Sequence, residues 1–487
     1  MVFYHGDPVT RYNMKLQHYS EKLVPHEALK VCAEMKAKGV RPNQTTYTWL
    51  ISALASNAAL YQECWAAFLD MKAMGFTPDI LIFNQLLRSV RTLTSGESLK
   101  VIQEMQRHGV QPDSRTHDLL IQRYAEGENI EVALRRLTEM EDAGFSPSLK
   151  TAEVLVSKIA ETGFPRLALD LATAFEHESV RRLSSETWVA LLASSAQNSY
   201  PDGMVPCWNK VVKDLSVVPD EGLCIDVLHA SATHGLPVLA SEVLKQLEKL
   251  KIPLREHHIL PLLDAFANNG DIKEAFRVLD LMRTSGSAPT IDTAQSIFKA
   301  IQRDPDAIDS AFTKLQEVKD EGHAVDATGV NVIIQAAGFL NDLQRAVGTY
   351  KAMSSLDVKP DVTTFNLLLA ACVSAQHREL GDRMFAEMGD AHLKPNVDTY
   401  KQLVALHLTQ PEYEDAFFYL EEMKSAGLKP PYSIYDNIVR KCVSMGDSRY
   451  KLAVEELEQM EYTMTPDLIT FIDSGGSSPN PNRSTRS

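Results

Sequence analysis

Met35-Lys36-Ala37-Lys38-Gly39-Val40-Arg41-Pro42 decides the fold, because the chain repeats its pattern. Met, then Gly, then Pro return at Met71/Gly75/Pro78, Met105/Gly109/Pro112, Met140/Gly144/Pro147, Met282/Gly286/Pro289 and Met423/Gly427/Pro430. Weaker copies keep the proline and lose the glycine, at Pro219, Pro253, Pro360, Pro395 and Pro466. Neighbouring prolines therefore stand about 35 residues apart, or twice that from Pro147 to Pro219 and from Pro289 to Pro360. Glycine tolerates the left-handed backbone that closes a helix, and a proline just beyond prevents the helix from resuming. Each copy is a helix stop.

The residues before each stop share one helical face. Seven before the Met stands a small residue, such as Ala28, Cys64, Ala133, Ala275, Gly381 or Ala416. Three before it stands a large apolar one, such as Phe68, Ile102, Leu137, Leu279, Phe385 or Leu420. The small residue admits a neighbouring helix and the large one fills the seam. A second helix precedes this one in every copy, opening in runs such as Thr46-Tyr47-Thr48-Trp49-Leu50-Ile51 and Thr364-Phe365-Asn366-Leu367-Leu368-Leu369. No strand signal intervenes. The expected fold is all-α, a right-handed α-solenoid superhelix of about thirteen helix-turn-helix repeats.

Bulk properties narrow the class further. The chain has 487 residues, 44% hydrophobic and 23% charged, as in ordinary globular proteins. No apolar run is long enough to span a bilayer, so no membrane partner is expected. Six scattered cysteines form no CxxC pair, which suggests small buried residues rather than a disulfide framework or zinc site. The start of the chain has no apolar h-region and is a poor match to a transit peptide. The net charge is −15, unevenly spread. Residues 1–148 carry 16 Lys+Arg against 17 Asp+Glu, and residues 149–487 carry 33 against 47. At physiological salt, charge acts over only about 8 Å, so a nucleic-acid partner remains compatible with the local balance.

The punctuation and the aromatic-led first helix resemble the pentatricopeptide-repeat (PPR) motif, in its plain form. The match is strong over residues 1–148 and 327–467 and weak over 149–326, where stops degrade to Ala174-Phe175-Glu176-His177 and Leu247-Glu248-Lys249-Leu250. Residues 468–487 are expected to form a disordered tail. The resemblance implies a binder of single-stranded RNA that reads one base per repeat. It places the reading at two positions: the residue after the first-helix aromatic and the last residue of the unit. Mapped here, these are Asn13 with Asn43, Thr48 with Asp79, Asn84 with Asp113, Asn331 with Asp361 and Asn366 with Asn396. The resemblance implies guanine for Thr/Asp, uracil for Asn/Asp and a pyrimidine for Asn/Asn. The same residues also suit helix capping, which alone would account for Asp79, Asp113 and Asp361.

Other units depart from these pairs. They carry Asp118/Ser148, Glu153/Leu183, Val189/Asp220, Ile225/Leu254, Leu260/Thr290, Gln295/Asp326, Lys401/Pro430 and Asp436/Asp467. Aliphatic side chains cannot hydrogen-bond a base, so units five to eight are expected to be silent. Candidate phosphate contacts are Lys15, Arg88, Arg91, Arg115, Arg123 and Lys158, which otherwise form an ordinary solvated face.

No catalytic constellation is present: no HExxH, P-loop, GxSxG or GxGxxG, and no HxE with CxxC as a deaminase would need. His257-His258 is a lone pair, more consistent with a helix feature than a metal site. The expectation is a non-enzyme with no cofactor, no metal and no small-molecule substrate. The resemblance points to an organellar, mitochondrial RNA factor acting in RNA processing, stability or translation, small-subunit rRNA maturation among them. The alternative is a protein-interaction scaffold docking partners on its acidic C-terminal two-thirds.

Overall fold

The computed structural model describes residues 7–90, 95–178 and 181–476, and every regular element among them is helical. The chain divides into two compact units, residues 1–227 and 228–487, the division falling within one helix, Glu221–His234.

In the first unit, helices pair as α1 (Pro8–Glu21) with α2 (Pro25–Ala37), α3 (Gln44–Leu54) with α4 (Tyr61–Ala73), and α5 (Ile80–Ser89) with α6 (Ser95–Arg107). They continue as α7 (Ser114–Glu126) with α8 (Ile130–Asp142), α9 (Leu149–Glu161) with α10 (Pro165–Glu178), and α11 (Ser185–Gln197) with α12 (Pro201–Trp208). Helix α13 (Glu221–His234) carries the division, and α14 (Pro237–Lys249) follows it in the second unit. The second unit holds α15 (Glu256–Asn269) with α16 (Ile272–Thr284), α17 (Gln295–Ile301) with α18 (Pro305–Asp320), and α19 (Ala327–Phe339) with α20 (Leu343–Ala352). It ends with α21 (Val362–Ala375) and α22 (Arg378–Asp390), α23 (Val397–Leu408) and α24 (Glu414–Ser425), α25 (Tyr432–Met445) and α26 (Tyr450–Gln459), then α27 (Pro466–Asp473) alone. This is the all-α array of about thirteen hairpins that the sequence predicts. The last helix corrects one boundary: the expected tail from residue 468 instead begins inside α27, which buries Leu468.

The stops work as their residue types require. All six glycines of the full motif have positive φ, from 66° at Gly39 to 88° at Gly286. At the first of them, Val40 N–H bonds Met35 O at 3.1 Å and Gly39 N–H bonds Lys36 O at 3.1 Å, closing the helix end. Where glycine is lost, the backbone keeps the same conformation: Ser216, Asp357 and His392 have φ of 54°, 52° and 56°. Each of these costs roughly 1 kcal/mol that glycine avoids. In the degraded stop after α10, a side-chain network takes over. Glu176 accepts from Trp188 Nε1 at 3.2 Å, from Leu183 N–H at 3.2 Å and from Lys210 Nζ at 3.0 Å.

Packing explains the small residues. Ala28, Cys64, Ala133, Ala275, Ala346 and Ala416 are fully buried. A Cβ added at Gly381 would lie 2.1 Å from Leu406 Cδ2. In each unit, consecutive first helices pack directly on one another: α1 on α3, α3 on α5, α5 on α7 and α7 on α9, then α15 on α17 through to α25 on α27. Among the described residues, consecutive second helices approach comparably only at α10 with α12 and α16 with α18. The row of crowded helices is the inner side of a curved stack. First helices therefore form the inner wall of each unit.

Candidate nucleic-acid interface

The residues between consecutive inner helices build one repeated junction. Asn43, Asp113, Asp361 and Asn396 are the N-caps of α3, α7, α21 and α23, all in extended conformation. Each closes a capping box with the Thr three residues on: Thr46, Thr116, Thr364 and Thr399. Short polar residues stand here because a helix start leaves backbone N–H groups without partners.

An asparagine from the preceding inner helix docks on each box. Asn84 Nδ2 donates to Asp113 Oδ1 at 3.2 Å, and the Thr116 hydroxyl donates to Asn84 Oδ1 at 2.8 Å. Asn331 repeats this with Asp361 at 3.0 Å and Thr364 at 2.7 Å. Asn366 does so with Asn396 at 3.1 Å and Thr399 at 2.7 Å, and Asn13 with Asn43 at 3.1 Å and Thr46 at 2.7 Å. Four predicted pairs are thus brought together. In all four, the cap residue performs capping and bonds its partner at once. Capping and pairing are not alternatives.

The junctions differ in what they leave unspent. In Asn84/Asp113, one amide N–H is left beside Asp113 Oδ2, which Asn84 Nδ2 approaches at 3.4 Å, a donor beside an acceptor. In Asn366/Asn396, the Oδ1 of Asn396 is taken by Asn366 and by Thr399 N–H at 2.9 Å. Its Nδ2 remains, so that junction presents donors only. Burial alone would raise the Asp113 carboxyl, but hydrogen bonds from Thr116 and Asn84 hold it below the usual carboxylate range.

Thr48 and Asp79 behave differently. Asp79 caps α5 by accepting from Ile82 N–H at 3.0 Å, while the Thr48 hydroxyl donates back to Gln44 O at 3.0 Å. The two side chains make no hydrogen bond to each other among the described residues.

The junctions also correct the register of the divergent units. Glu153 Oε1 accepts from Ser184 N–H at 2.9 Å, and Ser184, not Leu183, is the cap of α11. Arg255, not Leu254, caps α15. Thr465 caps α27, and Asp467 instead bonds Arg440, which also holds Asp436. His258 belongs to the α15 cap: its Nδ1 accepts from Arg255 N–H at 3.2 Å.

Among the candidate cations, Arg88 and Arg115 are exposed. Lys15 is half-exposed, 4.0 Å from Glu34 and over the Tyr12 ring. Lys158 is tied to Glu161 at 2.6 Å. Arg123 departs from the expected solvated face: it is only 8% exposed, with its Nη1 against Gly127 at the end of its own helix. Residues Thr116–Ala125 of α7 are all buried, Arg123 among them, so Arg123 is not placed for a phosphate. Arg91 lies outside the described residues.

The threonines at 46, 116, 364 and 399 are site residues that sequence reasoning missed. Their signal is present in the chain, a Thr three residues after each cap.

Three family models match the chain: "PPR repeat family" over residues 9–56, "Pentatricopeptide repeat domain" over 100–161, 349–410 and 383–447, and "Pentatricopeptide repeat-containing protein" over 221–353. Together they span well over half of it. The chain belongs to the pentatricopeptide-repeat family. The last of these matches takes in the weakly patterned stretch from 221 to 326, so PPR character continues through much of the middle. No curated protein matches the sequence. Among solved structures, the chain is similar to the PPR protein PPR10 in complex with an 18-nt psaJ RNA element, at 18% identity over 96% of this chain and 77% of that one, with a TM-score of 0.36. PPR10 from maize gives 18% identity, 96% and 80% coverage and a TM-score of 0.32. Yeast Rmd9p in complex with a 16-nt target RNA gives 11% identity, 93% and 98% coverage and a TM-score of 0.35.

Proposed function

We propose that this PPR protein is a sequence-selective binder of single-stranded RNA. One observation carries the reading: four separate junctions on the inner walls repeat the same asparagine–cap–threonine lattice and leave hydrogen-bonding groups over. Capping needs only the Asp or Asn and the Thr. The docked asparagine ties consecutive inner helices together and still leaves an amide N–H that capping does not need. Within this family, helical repeats read one base each through a few side chains. Asn84/Asp113 and Asn331/Asp361 offer a donor beside an acceptor, the complement of a uracil edge. Asn13/Asn43 and Asn366/Asn396 offer donors, which suits the acceptors of a pyrimidine, cytosine in particular. Thr48/Asp79 is assigned guanine by family resemblance. Arg88 and Arg115 supply cations for the backbone.

The biological setting follows from family resemblance: a mitochondrial role in RNA processing, stability or translation. Crosslinking in cells followed by sequencing of bound RNA tests this. Enrichment of a few organellar transcripts supports it. Recovery of a stable protein complex with no enriched RNA would sink it, and would favour the scaffold reading. That second reading draws on the aliphatic Val189, Ile225 and Leu260 at reading positions and on the 33-against-47 charge imbalance of residues 149–487.

A further inference from the structure

The first repeat breaks the packing rule of the others at one place. Three residues before the stop methionine, Phe68, Leu137, Leu279, Leu420 and Leu457 are buried in the seam between helices. The first repeat has Cys32 there, on α2, and it stays half-exposed while the other five cysteines are buried. The missing side-chain volume is left as a cavity of about 390 Å³, within the size range of ligand pockets. Met35, Val40, Pro42, Tyr47, Leu50 and Met74 give it apolar walls from α2, the stop, α3 and α4. A second departure keeps it open. In the next repeat, Lys72 of α4 bridges to Glu104 of α6 at 2.8 Å. The same positions in the first repeat are Lys36 of α2 and Asp70 of α4, and both border the cavity. Asp70 is one methylene shorter, and its Oδ2 accepts instead from the Tyr47 hydroxyl at 2.8 Å, a group that the equivalent Phe83 lacks. Lys36 and Arg41 are exposed and form no ion pair among the described residues, whereas nearby Lys30 and Lys38 are paired with Glu27 and Glu34 at 2.6 Å.

We propose that this cavity docks a peptide segment of a partner protein: one large apolar side chain flanked by an acidic residue. The apolar side chain takes from outside the place that Phe68 or Leu137 fills from within, and its burial drives association. Met35 and Met74 are unbranched and adapt to Leu, Ile or Phe. The acid meets Lys36 or Arg41, the two cations without carboxylate partners. Asp70 repels an acid on the α4 side, which orients the segment. Of the junction residues described above, only Thr46 borders the cavity, and its hydroxyl is already committed to Asn13 at 2.7 Å. Docking therefore leaves the hydrogen bonds of that junction in place. The site goes beyond base reading and does not depend on it.

The test is selection of a displayed library of random short peptides on the full chain. Peptides carrying one Leu, Ile or Phe beside Asp or Glu are expected. Cys32→Phe, which fills the cavity from within, should weaken them by about tenfold or more and should unfold at higher urea concentration than wild type. Cys32→Leu serves where the ring does not fit. Binding of a selected peptide should also slow alkylation of the Cys32 thiol, a readout that needs no variant. No enriched peptide overturns the proposal, as does a consensus without an acidic residue. So does a selected peptide that binds both filled variants undiminished or leaves Cys32 alkylation unchanged. Self-association of the chain that is lost in Cys32→Phe overturns it too, by putting a second copy in the cavity in place of a partner.

Discussion

The hydroxyl of Thr116 donates to the amide oxygen of Asn84 at 2.8 Å, joining residues 32 apart on consecutive inner helices. That bond fixes which end of the amide faces the cap. Without it, only the bond from Asn84 Nδ2 to Asp113 at 3.2 Å would hold the amide, and the donor offered to a base would be less fixed in direction. Thr116→Val keeps the shape and removes the hydroxyl. It should lower stability by about 1–2 kcal/mol, since it also breaks the capping box. It should also flatten discrimination at the base read by unit three, and Thr116→Ser should restore it. Denaturation and binding to four RNAs differing at that base separate the two effects. Lost stability with discrimination intact would reduce Thr116 to a cap.

Asn84→Thr should shift that base from uracil toward guanine, by making the junction resemble Thr48/Asp79. The Thr48 hydroxyl is turned back to its own helix at Gln44 O, and a threonine at 84 has the same option. Asp113 would then lose its amide partner and present its carboxylate alone. The expected change is a reversal of preference of roughly tenfold, read by competition binding. A uniform drop with all four bases would count against base reading at this junction.

The fold is legible in the sequence because helix stops are local. A Gly and a Pro three residues apart constrain the backbone whatever surrounds them, so Gly39, Gly75 and Gly427 can be placed from sequence alone. The reading pairs are half legible. Asn84 and Asp113 can be matched by spacing, but their mutual bond and the role of Thr116 depend on how one helix stacks on the next. Arg123 misleads for a related reason: its charge suggests solvent, while the whole stretch Thr116–Ala125 of α7 is buried. The register at Glu153 slips by one because Ser184 caps α11, which makes unit five one residue longer than unit four. Asp118 departs from the pairs by residue type, and only geometry shows that it occupies the same lattice.

Where the stop lost its glycine, stability is recoverable. His392 is exposed, with φ of 56° at the position glycine holds elsewhere. His392→Gly should stabilise the protein by roughly 1 kcal/mol, less the extra entropy of glycine in the unfolded chain. Urea unfolding of the full chain measures it. Gly381→Ala should act in the opposite sense. Its new Cβ would meet Leu406 at 2.1 Å in a packed seam, costing about 1–3 kcal/mol. Equal or greater stability of the alanine variant would show that α22 and α23 separate easily.

His407 gives the second unit an acid-sensitive point. It is 1% exposed, with Nε2 3.1 Å from Asp382 Oδ1 and Nδ1 3.7 Å from Asp415, and it lies against the Tyr419 ring. Burial lowers its pKa most; Asp382 and Asp415 oppose this, and Arg378, bonded to Asp415, reinforces it. A histidine depressed in the folded state binds its proton more readily when unfolded. Its contribution to stability is therefore fully present above the ordinary value of about 6.5 and is lost as pH falls toward the folded value. One such group changes stability by at most about 1.4 kcal/mol per pH unit. Denaturation of the full chain at pH 7 and pH 5 should show a loss that His407→Gln reduces, because glutamine keeps a donor for Asp382 without titrating. An unchanged pH dependence in that variant would assign the acid sensitivity to the carboxylates instead, Asp113 among them.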